Sequence, residues 1–475
     1  MFLCRENELR KLEHRYGSGE MECIVIYGRR RVGKTALINE FAKDKPTIFF
    51  PALRSNAQGN LAALSKAIYS YDHPDAIEAP TFATFDAAFA EITRIAKNER
   101  AVFVIDEFPY LVKSDPSVTS RLQHLLDHDW QETKLYLILC GSSMSFMEKK
   151  VLSEKSPLFG RRTAQFKIEP LSYMDAARFH PELSPEENAV IYGITGGVPH
   201  YINKLGVRGS VKDALLENFF DTSSYLFEEP ENLLKQELRE PAIYNSIIAA
   251  IAEGATRLNQ ISDRTGNDTP TCTKYLKSLM ELGIVQKRQP IIQKSSRKTT
   301  YHISDHFFRF WYRFVPGNMI AISSDNMARI YDAAVDSYLS SYMGLVFEDI
   351  CKQYLTKYAE HLPIQIRDIG EWWGADPQEK KEAQLDIVAL GTKPDNTSSG
   401  KQFIIGSCKF KSEPIGTDEL DLIKHYASLF TSAHDTCYYY IFSKSDFTAG
   451  LLDKAQQGEV TLVSLKDIYQ TPSGT

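Results

Sequence analysis

The stretch ECIVIYGRRRVGKTALINEF (22–41) decides the fold. Its first six residues form a nearly continuous apolar run, the pattern of a strand buried on both faces. Gly28-Arg29-Arg30-Arg31-Val32-Gly33-Lys34-Thr35 follows and fits G-x4-G-K-[ST]. The segment TALINEFAK (35–43) then has helical periodicity. Glycines at the two ends of such a turn let backbone N–H groups curl round phosphate oxygens, and the helix N-terminus adds partial positive charge. Lys34 is expected to reach the β- and γ-phosphates of ATP, and Thr35 to coordinate Mg²⁺.

Working outward, TIFFPAL (47–53), RAVFVIDE (100–107) and KLYLILCG (134–141) read as further buried strands. Helical stretches at 81–97 and 118–130 lie between them, so a doubly wound α/β sheet is expected. In Val102-Phe103-Val104-Ile105-Asp106-Glu107 two carboxylates close an apolar strand at the edge where ligands bind in open α/β sheets. Asp106 is expected to hold Mg²⁺ through water, and Glu107 to polarise the attacking water. The next strand ends in Gly141-Ser142-Ser143. Either serine can contact the γ-phosphate or orient the water, and an ordinary turn is the alternative. Arg161 and Arg162 are candidate cations for charge developing on the phosphates.

The segments FLCRENELRKLEHRY, GRRRVGKT, VFVIDEFPYL, CGSSMSFME, PLFGRRT and GITGGVPHYI, in this order over about residues 1–235, resemble the prokaryotic AAA+-type ATPases of the archaeal ATPase family, near the STAND branch of P-loop NTPases. The resemblance implies that Arg5 and Glu6 belong to the segment lining the adenine side. It also implies that Gly197-Val198-Pro199 is a lid turn near the nucleotide, and that nucleotide exchange can act as a switch.

Strand signals are absent from about 165 to 235, which predicts a helical lid. From 240 to 315 three short helical patterns precede QKRQPII and KTTYHIS, two strands joined by the basic loop QKSSRK. That is the outline of a winged helix-turn-helix. Eleven cations face six acids there, a balance of +5 in a chain whose total is −6. Lys274 and Lys277 fall on the expected recognition helix, and Lys294, Arg297 and Lys298 on the expected wing. Such a surface suits phosphate contacts with DNA; packing between domains is the alternative. His302 and His306 can be read as a metal pair or, better, as flanks of the aromatic core strip FFRFWYRF.

Residues 331–475 carry 21 acids and 13 cations, which disfavours broad DNA contact. A long helix (331–359) precedes the strand-like QLDIVALG and KQFIIGSCKF. Glu348 on the helix, Asp386 on the first strand and Lys409 on the second resemble the PD-(D/E)xK nuclease fold, whose carboxylates bind Mg²⁺ and whose lysine helps activate water. The acid expected two residues before Lys409 is Ser407, a far weaker Mg²⁺ ligand. Glu413 lies too far along the chain to replace it unless the chain folds back. The backbone carbonyl of Cys408 could assist Glu348 and Asp386. A degenerate fold kept for partner or nucleic-acid binding is therefore expected.

The expected architecture is α/β: a P-loop NTPase parallel sheet (1–164), a helical lid (165–239), a winged helix-turn-helix (240–315) and a restriction-endonuclease-like domain (330–475). At 475 residues, about three domains are in proportion. With 43% apolar and 24% charged residues, global disorder is excluded. The seven cysteines contain no CxxC pair, which argues against a disulfide framework or a cysteine zinc site and fits a reducing cytoplasm. No apolar run approaches a membrane span, and the start MFLCRENELRKLEHR does not read as a signal peptide. The leading expectation is an ATP-binding and hydrolysing switch, with ATP/ADP and Mg²⁺ as ligands and DNA as partner. The alternatives are an ATP-gated metal-dependent nuclease and a STAND-like scaffold that forms homo-oligomers or binds a protein partner.

Overall fold

The computed structural model describes residues 2–292, 298–324, 331–392 and 400–470. They form two compact units, one from the residues up to Leu171 with Val198–His200, the other from Ser172–Gly197 with the residues from Tyr201 onward.

The first unit is built on five parallel strands: β1 (Glu22–Tyr27), β2 (Thr47–Pro51), β3 (Val102–Asp106), β4 (Tyr136–Gly141) and β5 (Ala164–Lys167), in spatial order β2–β3–β4–β1–β5. Alternation explains why the apolar runs of β1, β3 and β4 are unbroken. Val25, Phe103, Ile105, Leu137 and Leu139 enter one core, with the helices Ala57–Asp72 and Phe85–Asn98. Ile24, Ile26, Val102, Val104 and Ile138 enter the other, with Leu37, Ile38 and Phe41 of the helix Lys34–Ala42. The helix at 85–98 starts where Thr84 accepts a hydrogen bond from the Ala87 N–H, a side-chain N-cap. Tyr27 of β1 pairs with Gly141 of β4, and Ile105 of β3 with Leu139 of β4. The chain segments leaving β1, β3 and β4 therefore emerge along one edge.

One strand corrects the sequence reading. β5 lies inside the stretch read as strand-free from about 165. Its sequence, AQFK, is short and half-exposed at the sheet edge, so it lacks the apolar run that marked the others.

The second unit opens with five helices between Tyr173 and Glu237. Three more follow, at Pro241–Ala252, Leu258–Thr265 and Thr269–Glu281, then the antiparallel ribbon of β6 (Val285–Arg288) and β7 (Thr300–Ile303). Asp268 caps the third of these helices by accepting from the Thr271 N–H. Lys294 and Arg297 lie outside the described residues. The aromatic strip is the helix His306–Phe314, with Phe307, Phe308, Phe310 and Phe314 buried.

The C-terminal sheet contains β8 (Gln365–Asp376), β9 (Lys381–Thr392), β10 (Gln402–Lys409), β11 (Thr436–Ser443) and β12 (Thr461–Ser464), in order β12–β11–β10–β9–β8. β8, β9 and β10 are antiparallel neighbours, whereas β10, β11 and β12 run parallel. The helix Thr417–Ser428 covers one face through Leu420, Ile423 and Ala427. β8 and β12 were not legible. QIRDIGEWWGAD is a mostly polar, half-exposed strand at one sheet edge, and TLVS has only four residues at the other.

A buried charge network crosses this unit. Asp349, on the helix Ser337–Gln353, faces His306 Nε2 at 3.1 Å, Arg309 at 3.5 Å and Arg288 at 3.9 Å. Glu371 of β8 accepts from Arg288 and from Lys352, each at 2.7 Å. Burial alone would raise the Asp349 carboxyl, but the His306 hydrogen bond and Arg309 hold it far below the usual carboxylate range. His306 is thus tied into an ion network rather than paired with His302, whose Nε2 contacts Thr300 Oγ1 at 3.0 Å. Breaking the network strands its cations. Asp349→Asn is expected to lower the unfolding free energy at neutral pH by ~2–4 kcal/mol, read from denaturant midpoints. A carboxyl depressed on folding stabilises above its unfolded value, so this contribution should decline as pH falls below ~4. Coincident unfolding curves for variant and wild type at neutral pH would contradict this role.

Candidate functional site

At the end of β1 the chain turns at Gly28, where φ is 158°. A Cβ built there would lie 2.2 Å from the Ile168 carbonyl oxygen, so only glycine fits. Ile168 itself is held by its N–H donating to Tyr27 O at 2.7 Å. Arg29, Arg30, Arg31 (φ 70°) and Val32 carry the turn to Gly33 (φ 95°), and the helix Lys34–Ala42 begins there without a side-chain N-cap. Its first N–H groups are left to face an incoming ligand.

Lys34 is only 6% exposed, and its Nζ donates to Gly28 O and Arg29 O, both at 2.9 Å. Burial pulls its pKa below the usual lysine value, only partly offset by neighbouring acidic groups that include Glu107 and Asp106. The lysine therefore lies folded onto its own loop, holding two carbonyl oxygens.

Beside it runs a chain of hydrogen bonds. Thr35 Oγ1 donates to Asp106 Oδ2 at 3.1 Å, and Asp106 Oδ1 accepts the Glu107 N–H at 3.0 Å. Glu107 has φ 53°, a left-handed conformation that costs a non-glycine residue free energy and re-aims its side chain at the strand end. Its Oε2 accepts from Ser142 Oγ at 3.0 Å and from the Ser142 N–H at 3.3 Å. Of the two serines the sequence left equivalent, Ser142 is the one brought to Glu107. Ser143 instead precedes the short helix Met144–Phe146.

Arg5 is buried behind the loop and donates to Val32 O at 3.2 Å and to Glu169 O. Glu6 starts the helix Glu6–Tyr16. Val198 is buried, and Pro199 Cγ lies 3.9 Å from where a Gly33 Cβ would stand. Arg161 makes a two-point ion pair with Asp127, at 2.6 and 2.7 Å. Arg162 makes a long bond to Leu152 O at 3.5 Å and lies over the Phe159 ring. Tyr110 was missed by sequence reasoning. Its hydroxyl accepts from Arg30 at 2.5 Å and its ring sits under Arg54. The signal available was its place three residues after Glu107, in the first turn after the acidic strand end.

On the helix Thr269–Glu281, Thr273, Lys274 and Lys277 are exposed, while Cys272, Tyr275, Leu276 and Leu279 are buried on the opposite side. Lys298 is half-buried.

In the C-terminal sheet, Asp386 Oδ2 accepts the Cys408 N–H at 2.8 Å and lies 3.5 Å from Ser407 Oγ. Burial raises the Asp386 pKa, partly offset by the Cys408 N–H. Glu348, 9% exposed, is pushed up to about 8 by burial and by Asp386. Glu413 is exposed, and its backbone oxygen accepts from Ser445 Oγ. The acid that sequence reasoning missed is Glu419. Its Oε1 accepts from Ser407 Oγ at 2.7 Å and lies 3.1 Å from Lys409 Nζ. No strand pattern could flag it, because it comes from the helix after β10.

An ATPase domain family found predominantly in Archaea matches residues 2–205, and a family of archaeal and bacterial proteins of unknown function matches residues 311–420. An uncharacterised protein of Methanocaldococcus jannaschii is 34% identical over 394 residues, 82% of this chain and 84% of that one. An uncharacterised ATP-binding protein of the same organism is 47% identical over 45 residues, 10% of this chain and 76% of that one. Among solved structures, a Walker-type ATPase of Pyrococcus abyssi aligns with a TM-score of 0.51 at 20% identity, covering 66% of this chain and 96% of that one. This last likeness concerns the fold. No described helix is long and apolar enough to cross a membrane.

Proposed function

The chain belongs to the archaeal-type ATPase family, and from that premise we propose that it is an ATP-hydrolysing conformational switch that acts on DNA. The observation that carries the hydrolytic part is the continuous chain Thr35–Asp106–Glu107–Ser142 beside the loop that holds Lys34. In this reading residues 1–164 are the ATPase core, 165–239 the lid and 240–315 a winged helix.

ATP enters with its phosphates against the N–H groups of Gly28–Thr35, and Lys34 exchanges the Gly28 and Arg29 carbonyls for β- and γ-phosphate oxygens. The exchange costs little, because one set of oxygen acceptors replaces another. Thr35 and Asp106 are the residues that would hold Mg²⁺, which supplies positive charge to the phosphates when bound. Glu107, positioned by Ser142, takes the proton of a water whose oxygen bonds to the γ-phosphorus as the β,γ-bridging P–O bond breaks. Arg161 is committed to Asp127, so Arg162 is the better arginine to meet developing charge. Arg5 braces the loop from behind, and Pro199 marks the lid turn beside Gly33. Nucleotide state would shift the balance between conformations through the lid.

Exposure of Thr273, Lys274 and Lys277 on one helix face supports the DNA part, with half-buried Lys298 two residues before β7. The +5 balance of residues 240–315 points the same way.

Lys34→Ala is expected to abolish measurable nucleotide binding. Glu107→Gln should retain ATP and lose hydrolysis by about 10²-fold or more. Binding of a fluorescent ATP analogue and phosphate release report the two effects separately; wild-type turnover in Glu107→Gln would overturn the assigned base. For DNA, affinity should fall at least tenfold between about 50 and 200 mM salt, and Lys277→Ala should reduce the log–log salt slope by about one. Filter binding measures both, and failure to retain duplex DNA at the lower salt would remove the DNA part while leaving the hydrolytic part standing.

A further inference from the structure

The chain from Met144 to Arg162 joins the strand end at Ser142 to β5. It carries five cations and two acids, a balance of +3 in a chain whose total is −6. Hydrolysis calls on Arg162 alone among these cations, and Arg161 is bound to Asp127. That leaves Lys149, Lys150 and Lys155 without a part in the nucleotide chemistry.

All three lysines line one cavity of about 790 Å³ in the first unit. Half-buried Val112, Phe146 and Pro157 give it apolar lining, and the lysines are exposed. Glu154 is the one acid among the described residues that line it. Lys150 and Lys155 form no ion pair among the described residues. The arrangement of the lysines follows from the local backbone. The Leu152 N–H donates to Met147 O at 2.9 Å and closes a wide turn over Met147–Val151. Met147 and Val151 are buried and anchor the two ends of that turn, so Lys149 and Lys150 are left facing solvent. Like charges held together at a cavity repel one another and concentrate a positive field, which a polyanion neutralises.

A second observation points to the kind of polyanion. Phe159 is 41% exposed, and its N–H donates at 3.0 Å to the carbonyl of Ser156, another residue of the cavity lining. The Arg162 guanidinium lies 5.6 Å from the centre of the Phe159 ring. Cations beside an exposed aromatic ring are the combination that takes a single nucleic-acid strand, with phosphates on the cations and a base against the ring. An acidic peptide would satisfy the lysines but has no flat group for the phenylalanine.

We propose that this cavity and Phe159 bind single-stranded nucleic acid, with backbone phosphates on Lys149, Lys150 and Lys155 and a base against the Phe159 ring. The site is independent of the helix Thr269–Glu281 and of the duplex contact proposed for it.

The test uses the full chain carrying Lys274→Ala and Lys277→Ala, so that failure here and failure of the winged-helix reading are separate results. The probe is a fluorescein-labelled oligothymidylate of about 12 nucleotides. Its binding is followed by fluorescence anisotropy between about 50 and 200 mM salt. Saturable binding is expected. Adding Lys150→Ala with Lys155→Ala should lower the log–log salt slope by about 1.4, because each phosphate contact on a single strand contributes about 0.7. Lys150→Arg with Lys155→Arg should keep the slope. Phe159→Ala should weaken binding about fivefold or more and leave the slope unchanged, since stacking releases no counterions. Absence of saturable binding, or an unchanged slope in the double-alanine variant, overturns the proposal. Polyglutamate bound as tightly as the strand, with Phe159→Ala affecting neither, would assign the cavity to an acidic protein and overturn it equally.

Discussion

A missing methyl group sets the geometry on which the first unit depends. With any side chain at position 28, its Cβ would press into the Ile168 carbonyl at 2.2 Å. Either the turn after β1 or the pairing of β1 with the chain beyond β5 would have to give way. Because neither does, the loop leaves the sheet at a fixed height, and Lys34 starts its helix beside the ends of β3 and β4. The parallel register then places Ser142 at the end of the adjacent strand β4, and Asp106 and Glu107 one strand further on at the end of β3. Three separate chain segments thus meet through backbone geometry, before any side chain chooses a partner.

The charge in this cleft is arranged differently from that in the second unit. Lys34 holds oxygen atoms of its own loop, which are neutral dipoles and easily exchanged. Asp349, Glu371, His306, Arg288 and Arg309 hold each other, in a network whose opposite charges are largely satisfied internally. The first arrangement suits a ligand that arrives and leaves; the second fixes a fold. Glu348 stands at the margin of the second network, 3.7 Å from Lys352, and Glu419 pairs separately with Lys409 at 3.1 Å.

Much of this was legible in the sequence, for identifiable reasons. Buried parallel strands announce themselves as unbroken apolar runs, which is why β1 to β4 could be read while the half-exposed β5 and β8 could not. The phosphate loop was legible because its requirements are local: two glycines, a lysine and a threonine at fixed spacing. Glu107 was readable as a strand-end acid, but its left-handed backbone and its bond to Ser142 rather than to Ser143 are tertiary facts. Glu419 was illegible for the same reason, and Tyr110 had only its place after Glu107 as a signal. Each reaches its neighbours, Arg30 in one case and Ser407 with Lys409 in the other, from an element whose packing no local pattern encodes. His306 shows the converse: the metal pair with His302 was the lesser of its two readings, and the favoured one, a flank of the aromatic strip, agrees with its place at the start of the helix His306–Phe314, where it also meets Asp349.

The account turns on Lys34 being held in reserve by its own loop. A crystal structure of the full chain with magnesium and a non-hydrolysable ATP analogue addresses this most directly. It should show the Lys34 ammonium transferred from the Gly28 and Arg29 carbonyls to the terminal phosphates, with the Thr35 hydroxyl turned from Asp106 toward the metal. An analogue bound elsewhere, with Lys34 still on the two carbonyls, would contradict it.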